Sequence, residues 1–515
     1  MNSFDLSFLK YLQEHSPVLI SEATVRFGKT LSTLKRTMKE INELLPDEYY
    51  LHLDNQFITT RMEYRAYIEF LEKITFNRYL TNSEERISDL LVGLCLHDIV
   101  NKSEYYKKFH VSAGTIKNDN PTLAKYLDSR NLSVNSVHRL GTTLCGDEIQ
   151  LRIAVCMTIL KTVEIGEDNI LVIHKANEPV NRAIASQFLQ TCGPEIERAA
   201  AYYNQEIATR LSLGYNGKKY FLVYMSIALH RIGRRHILQN VSSLAFITAM
   251  NFSLLDDEQE NRFLDLLVSS LTFTWRPFTI YDSQLVALVR DFFHNIAPAL
   301  QATIHNQSSF FAEIYQFIYT SIVQNKFHLW FDDKKLHEVQ EHYPALYQAA
   351  CDAIKNIEQG YQVSFSSTHI ATLILILKKY ELQNRLQDEQ KKRIVIVTNS
   401  SESKVGYFKE VIKAWFHVEI IACININELH QLSGMPFDLL LTFTNKISSY
   451  LRYYQLDYIK VNFHLSPEDI SLLRKHGLSR AKKKIAVEHF MQKCDGVTGS
   501  DLRRLLETHY PEIFI

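Results

Sequence analysis

The chain has 515 residues, of which 46% are apolar, and its 57 basic residues balance 57 acidic ones. It is long enough for roughly three to five domains, and its neutrality excludes a uniformly basic nucleic-acid coat, so any contact with a polyanion must come from local patches. Seven scattered cysteines without a C-x-x-C pair exclude a disulfide framework or a cysteine zinc site and fit a reducing compartment.

The amino end, "MNSFDLSFLKYLQEHS", lacks the basic region and long apolar core of a signal peptide. No window is apolar for long enough to span a bilayer, so the expectation is a cytoplasmic protein with no membrane contact. Residues 4–60 read as helix, helix, turn, helix and a short strand pair. Phe8, Leu9 and Leu12 form one apolar face. Ser21 is expected to cap a short helix that ends at Gly28. Thr30 or Ser32 caps the next helix, on which Leu34, Met38, Ile41 and Leu45 recur at helical spacing up to Pro46. "YYLHLDNQFITT" then turns at Asp54-Asn55 between alternating residues, as a small β-wing does.

Residues 61–80 read as a connecting helix, and 81–152 repeat the first plan. "SEERISDLLVGLCLHDIV" is expected to be an amphipathic helix and "KSEYYKKFH" a second one. "VSAGTIKNDNPTLAKYL" is the third, with Ser112, Thr115 and a polar tip of Lys117, Asn118 and Asp119 at its front. Pro121 should kink this helix or make it end and restart. "LSVNSVHRLGTTLCGDE" reads as a second wing. From 150 to about 390 almost everything reads as helix, split near "WRPFTIYD". From 391 the texture alternates β-branched runs ("KKRIVIVTNSS", "VEIIACININEL", "PFDLLLTFT") with helices, which predicts a parallel sheet. "LSRAKKKIAVEHFMQKC" and "DLRRLLETHYPEIF" close the chain as helices.

The tandem helix-turn-helix pattern carries the chemistry. Such a motif places the front of its last helix in the major groove of duplex DNA. Arg26, Lys29, Lys35, Arg36 and Lys39 place five basic residues in fourteen with no acid among them. The expected DNA contacts are therefore Thr30, Ser32, Thr33, Lys35, Arg36 and Lys39 in the first unit. In the second they are Ser112, Thr115, Lys117 and Asn118. Elsewhere, Arg231, Arg234 and Arg235 could receive an anion or form a solvated basic face. His230 and His294 lie on helices, where each could accept phosphate or simply pack. The polar loop from Thr398 to Ser403 follows a strand, where α/β sheets bind phosphate, but it has no glycine and Glu402 would repel an anion. No Ser-His-Asp spacing, Walker loop or H-E-x-x-H is present. The expectation is a protein that is not an enzyme and that uses no cofactor and no metal.

"VSAGTIKND" resembles the recognition helix of bacterial activators that carry phosphotransferase-regulated domains (PRDs). "HRLGTTLCGDEIQLR" resembles the wing and exit of the same module, with Gly141, Gly146, Glu148 and Arg152 at its recurring positions. The order of parts is similar to the Mga/AtxA type of regulator over nearly the whole chain. The resemblance implies a mainly α, multidomain fold. Winged helix-turn-helix units would occupy 1–60 and 61–155, and PRD-like helical bundles 165–275 and 283–388. An α/β domain like the IIB component of sugar phosphotransferase systems, with closing helices, would occupy 391–515. In that family, histidines of the bundles are phosphorylated. Here the matching positions fall on Tyr224, Leu267, Asn295 and Ile376, and the IIB phosphocysteine position falls on Thr398. None of these side chains can replace imidazole or thiolate as a phosphoacceptor, which leaves His230 and His294 as residual phosphosites. The implied function is a transcription regulator, an activator that binds double-stranded promoter DNA. It would pair as a homodimer through its PRD-like and IIB-like domains and contact RNA polymerase. An RNA-binding antiterminator with the same bundles is the alternative, but it would begin with a small β-rich domain where this chain reads helical. A phosphocarrier enzyme would need the cysteine that "IVIVTNSS" lacks.

Overall fold

The computed structural model describes residues 1–241, 252–271, 273–275, 282–300, 307–326, 337–383, 392–478 and 481. Among the described residues helix dominates, and five small sheets accompany it. The chain divides into two compact units, Met1–Ile280 with Val323–Trp330 and Tyr281–Ile322 with Phe331–Ile515. The two helices expected after residue 480 lie outside the described residues, as does most of "WRPFTIYD".

The first unit opens with α1 (Ser3–His15), β1 (Val18–Leu19), α2 (Ile20–Phe27), α3 (Leu31–Asn42), β2 (His52–Asp54) and β3 (Phe57–Thr59). Asn2 starts α1 with a capping box: its side chain accepts the Phe4 and Asp5 amides, and Asp5 accepts the Asn2 amide. Helix α2 begins one residue before Ser21, and no side chain caps it, so Ser21 is not its cap. It ends at Gly28, whose φ of 58° is the left-handed conformation that glycine adopts most cheaply. Helix α3 stops at Asn42 rather than running to Pro46; Leu45 reaches the core from the turn beyond it. Leu6, Phe8, Leu9, Leu12, Ala23, Leu34, Ile41 and Ile58 are buried together, and Asn55 makes the expected wing turn with φ at 52°. The three strands are antiparallel in the order β1-β3-β2.

After α4 (Tyr64–Lys73) the same plan returns as α5 (Ser83–His97), β4 (Ile99–Val100), α6 (Lys102–Tyr105), α7 (Ala113–Asp128), β5 (Leu132–Val137) and β6 (Gly141–Gly146). Asn82 and Glu85 form the capping box of α5. The antiparallel sheet has the matching order β4-β6-β5. Gly141 lies at φ 141° with Val100 O only 2.5 Å from where a Cβ would be, so the β6 backbone can press against the end of β4 only without a side chain there. One expectation needs correction, and one of the two outcomes expected at Pro121 is excluded. Helix α5 is not amphipathic: Arg86, Ile87 and every residue from Asp89 to Leu96 are buried, because helices of the following bundle pack on what would have been its polar face. Helix α7 runs unbroken through Pro121, with no restart.

The rest of the first unit comprises α8 (Glu148–Ile159), the hairpin β7 (Val163–Ile165) and β8 (Leu171–Ile173), α9 (Pro179–Thr191), α10 (Gly193–Tyr202), α11 (Ala208–Arg210), β9 (Ser212–Leu213), α12 (Tyr215–Gly233), α13 (Glu258–Ser269) and β10 (Phe273–Trp275). The hairpin and the β9–β10 pair are strands inside a stretch that reads as continuous helix.

The second unit contains α14 (Ser283–Ile296), most of α15 (Gln307–Lys326), α16 (His337–His342), α17 (Pro344–Ala353), α18 (Lys355–Tyr361) and α19 (Ser367–Gln383). A doubly wound layer follows: β11 (Lys392–Val397), α20 (Glu402–Trp415), β12 (Val418–Ile424), β13 (Leu439–Thr442), α21 (Asn445–Tyr453), β14 (Ile459–Lys460) and α22 (Pro467–Lys475). The four strands are parallel in the order β12-β11-β13-β14, as the alternating runs predict. Helix α19 is apolar along most of its length and packs on α20, which joins the helices to the sheet layer. No described helix is long and apolar enough to cross a membrane.

Candidate nucleic-acid interface and regulatory core

The corners that precede α3 and α7 are built alike. Phe27-Gly28-Lys29-Thr30 precedes α3 and Phe109-His110-Val111-Ser112 precedes α7, at one constant offset along the chain. The second residue of each is left-handed, at φ 58° for Gly28 and 53° for His110. The fourth caps the helix: Thr30 Oγ1 accepts the Thr33 amide at 3.3 Å and Ser112 Oγ accepts the Thr115 amide at 3.2 Å. The hydroxyl pairs Thr30–Thr33 and Ser112–Thr115 each lie 3.0 Å apart. These four residues therefore start the helices first, and what remains for an external partner is any O–H not used within the pair.

The same offset relates Lys35 to Lys117 and Arg36 to Asn118, and all four are exposed. Ser32 and Lys39 are exposed too, whereas Thr33 and Thr115 are half-buried. Arg36 lies 3.7 Å from Glu40 at the surface, a pair of little energetic weight. Lys35, Lys39 and Lys117 form no ion pair among the described residues. Behind each front, Arg26 sits 4.3 Å over the Tyr11 ring, Lys29 sits 5.4 Å over Phe4, and Lys102 Nζ donates to Asn120 Oδ1 at 3.1 Å.

The polar tip of the second helix needs one correction. Asp119 does not face out beside Lys117 and Asn118. It is buried and takes a bidentate pair from Arg86 on α5, Nε at 2.7 Å and Nη2 at 2.8 Å. Its equivalent in the first unit is Thr37, also buried, whose Oγ1 donates to Asp5 Oδ1 on α1 at 3.4 Å. One inward polar tie thus fixes the roll of each front helix, so that the neighbouring basic residues point to solvent.

A buried charge network lies between the second corner and the bundle. Arg152 on α8 is fully buried. Its Nε donates to Glu148 at 2.9 Å, its Nη1 and Nη2 donate to Glu260 on α13 at 2.7 and 2.9 Å, and Nη2 also donates to the His236 carbonyl at 2.6 Å. Arg231 on α12 donates to Glu148 at 2.9 and 2.7 Å, to Asp98 at 2.7 Å and to the Cys95 carbonyl at 3.1 Å. Arg234 donates to Asp98 at 2.9 Å. Arg231 and Arg234 are therefore internal partners rather than an anion receptor. Burial alone would push the Glu148 and Asp98 carboxyls up, but hydrogen bonds and charge from these arginines outweigh it and hold both below the usual range. In the sequence Glu148 and Arg152 stand out only as motif positions; their partners Glu260 and Asp98 are remote in sequence, and no spacing marks them.

The positions expected to correspond to phosphoacceptors are mostly sealed. Tyr224, Leu267 and Ile376 are buried at 2% exposure or less. The Tyr224 ring lies 5.5 Å from Phe263, and burial pushes its phenol up. Thr398 is 6% exposed and donates its hydroxyl to Ser400 at 3.1 Å. His230 is buried, with Nε2 2.9 Å from the Leu96 carbonyl, so a donor protein cannot reach it in this fold. His294 and Asn295 are exposed in the last turn of α14. A further histidine carries no signal in the sequence. His369 is buried at the start of α19, its Nδ1 accepts the Ser366 amide at 3.2 Å, and burial lowers its pKa to about 4.

Residues 290–380 match the PRD domain family. The matched segment runs from α14 into α19 and holds His294, Asn295, His369 and Ile376. The match lies mostly in the second unit, where the second of two bundles is expected from the sequence, and a PRD domain points to a regulatory role. No curated protein matches the chain.

Proposed function

We propose that the protein is a sequence-specific DNA-binding transcription regulator of the Mga/AtxA type, an activator that works as a homodimer. The observation that carries this reading is the twice-repeated order helix, strand, helix, helix, hairpin. Both copies close with the same three-strand order, and each sets its exposed cations at the front of a capped helix. In this reading 1–60 and 61–155 are winged helices, α3 and α7 enter the major groove, and Lys35, Arg36, Lys39, Lys117 and Asn118 meet phosphates and base edges.

The PRD match supports a regulatory role for the helices behind these units. With Tyr, Leu and Ile buried at the expected acceptor positions, phosphorelay control has been lost at them, and His294 is the accessible candidate that remains. The network of Arg152, Glu148, Arg231, Asp98 and Glu260 supplies a physical route for regulation. It ties the exit of the second hairpin, through α8, to α12 and α13, so a shift of the bundle must move that hairpin or break buried ion pairs.

Fluorescence anisotropy on promoter fragments tests the DNA reading. Lys35→Ala/Arg36→Ala should bind roughly tenfold or more weaker than wild type and flatten the slope of log affinity against log salt by about 2. Wild-type affinity and slope in that variant would sink the reading.

A further inference from the structure

Three chemistry-bearing side chains of the second unit take no part in the features described above. Glu338 and His342 lie one turn apart on α16 and so share a face. His464 comes from the loop between β14 and α22, more than a hundred residues later in the chain. One ligating atom from each of the three lies within 4.8 Å of the others, and His464 Nε2 is 4.0 Å from Glu338 Oε2. The two imidazole rings lie with centroids 4.1 Å apart, tilted by 41° to one another.

We propose that Glu338, His342 and His464 bind a divalent transition-metal ion of the zinc class. Two imidazoles and one carboxylate are a donor set that suits Zn²⁺ or Co²⁺ and leaves a coordination position open. Metal–ligand bonds of about 2.0–2.2 Å put the donors of a tetrahedral site on the order of 3.3 Å apart. Closure from the present spacing needs roughly an ångström of side-chain rotation. His342 is exposed, and the side chains of Glu338 and His464 retain 44% and 18% of their exposure, so an ion can enter from solvent.

The third ligand is held in place. Asp469 Oδ2 accepts the Asn462 amide at 3.2 Å and the Ser466 amide at 2.9 Å, which ties both sides of the loop that carries His464. The Phe463 and Tyr407 rings flank His464 at 4.9 and 6.0 Å. Because α16 lies in the PRD-matched segment and His464 in the sheet layer, a bound ion would bolt the PRD helices to that layer. It would be a regulatory input that needs no phosphoacceptor. The metal site itself stands independently of the DNA reading, since it concerns only the second unit.

The test is titration of the full-length, chelator-treated protein with Co²⁺, followed by its visible absorption and then by displacement with Zn²⁺. One Co²⁺ per chain is expected, with bands that Zn²⁺ bleaches. His464→Gln and His342→Gln should each weaken binding roughly tenfold or more, while His476→Gln, at an exposed histidine outside the cluster, should change nothing. Glu338→Gln, on a half-exposed helix position, gives the same reading should the loop variant fail to fold. Absence of cobalt bands, or a signal unaffected by the Glu338, His342 and His464 variants, would overturn the proposal.

Discussion

Arg152 shows what a single buried charge does for the first unit. Its guanidinium is fully enclosed and hydrogen-bonds Glu148, Glu260 and a backbone carbonyl. Arg152→Ala would leave Glu260 buried without its partner, at a cost of about 3–5 kcal/mol. Urea unfolding should show that loss, and Arg152→Met with Glu260→Leu should recover much of it. His369 makes a different prediction, about pH. Its folded pKa is near 4 and its unfolded value is about 6.5, so between these the unfolded chain binds more protons. Its contribution is complete above about pH 6.5, falls as the pH is lowered, and levels off near 4. Glu148 and Asp98 have depressed folded values, so their contribution persists above the ordinary carboxylate range and is lost only below it. Thermal melts at stepped pH should therefore show stability falling on acidification through the His369 window, with His97 of the first unit, whose pKa burial also lowers, adding to the effect of His369. His369→Gln should flatten the dependence between about pH 6.5 and 4. An unchanged profile in that variant would refute the assignment.

At the scale of elements, local signals were legible wherever the interaction is local. Thr30 and Ser112 cap their helices because a hydroxyl three residues before an amide can reach it whatever else surrounds the chain. Gly28 and Asn55 turn the backbone for equally local reasons. Ser21 misled because a helix can begin without a side-chain cap once α2 is held by its neighbours. Pro121 left two outcomes open, a kink or a break. No break occurs: the helix passes through the proline, because Asp119, Leu123 and Leu127 anchor one face from both sides of it. The anchoring offsets a missing amide donor and ring clash worth about 3 kcal/mol. Pro121 is exposed, so Pro121→Ala should raise the thermal midpoint without disturbing the core. A lower midpoint would mean that the proline sets a bend the unit requires.

For the whole molecule, the proposed homodimer would bring four front helices to one stretch of duplex. Sedimentation equilibrium should return a mass twice the 59.9 kDa of one chain. A single-chain mass across the concentrations at which DNA is bound would remove the dimer from the proposal. The mainly helical class and the alternation of strands and helices after residue 391 could both be read along the chain, because periodicity and β-branching are carried by neighbours in sequence. The PRD match covers residues 290–380, inside the stretch 283–388 where a helical bundle is expected.

What the residues alone determined were caps, turns, strand runs and the tandem repeat, all set by dihedral preferences and hydrogen bonds within a few positions. Tertiary structure alone decided which polar groups face inward: Asp119 onto Arg86, Arg231 onto Glu148 and Asp98, His230 onto the Leu96 carbonyl, and α5 into the middle of its unit. The reason is physical. A charge is stable in the interior only if a partner, often a hundred residues away in sequence, arrives at the same place, and no local pattern encodes that arrival.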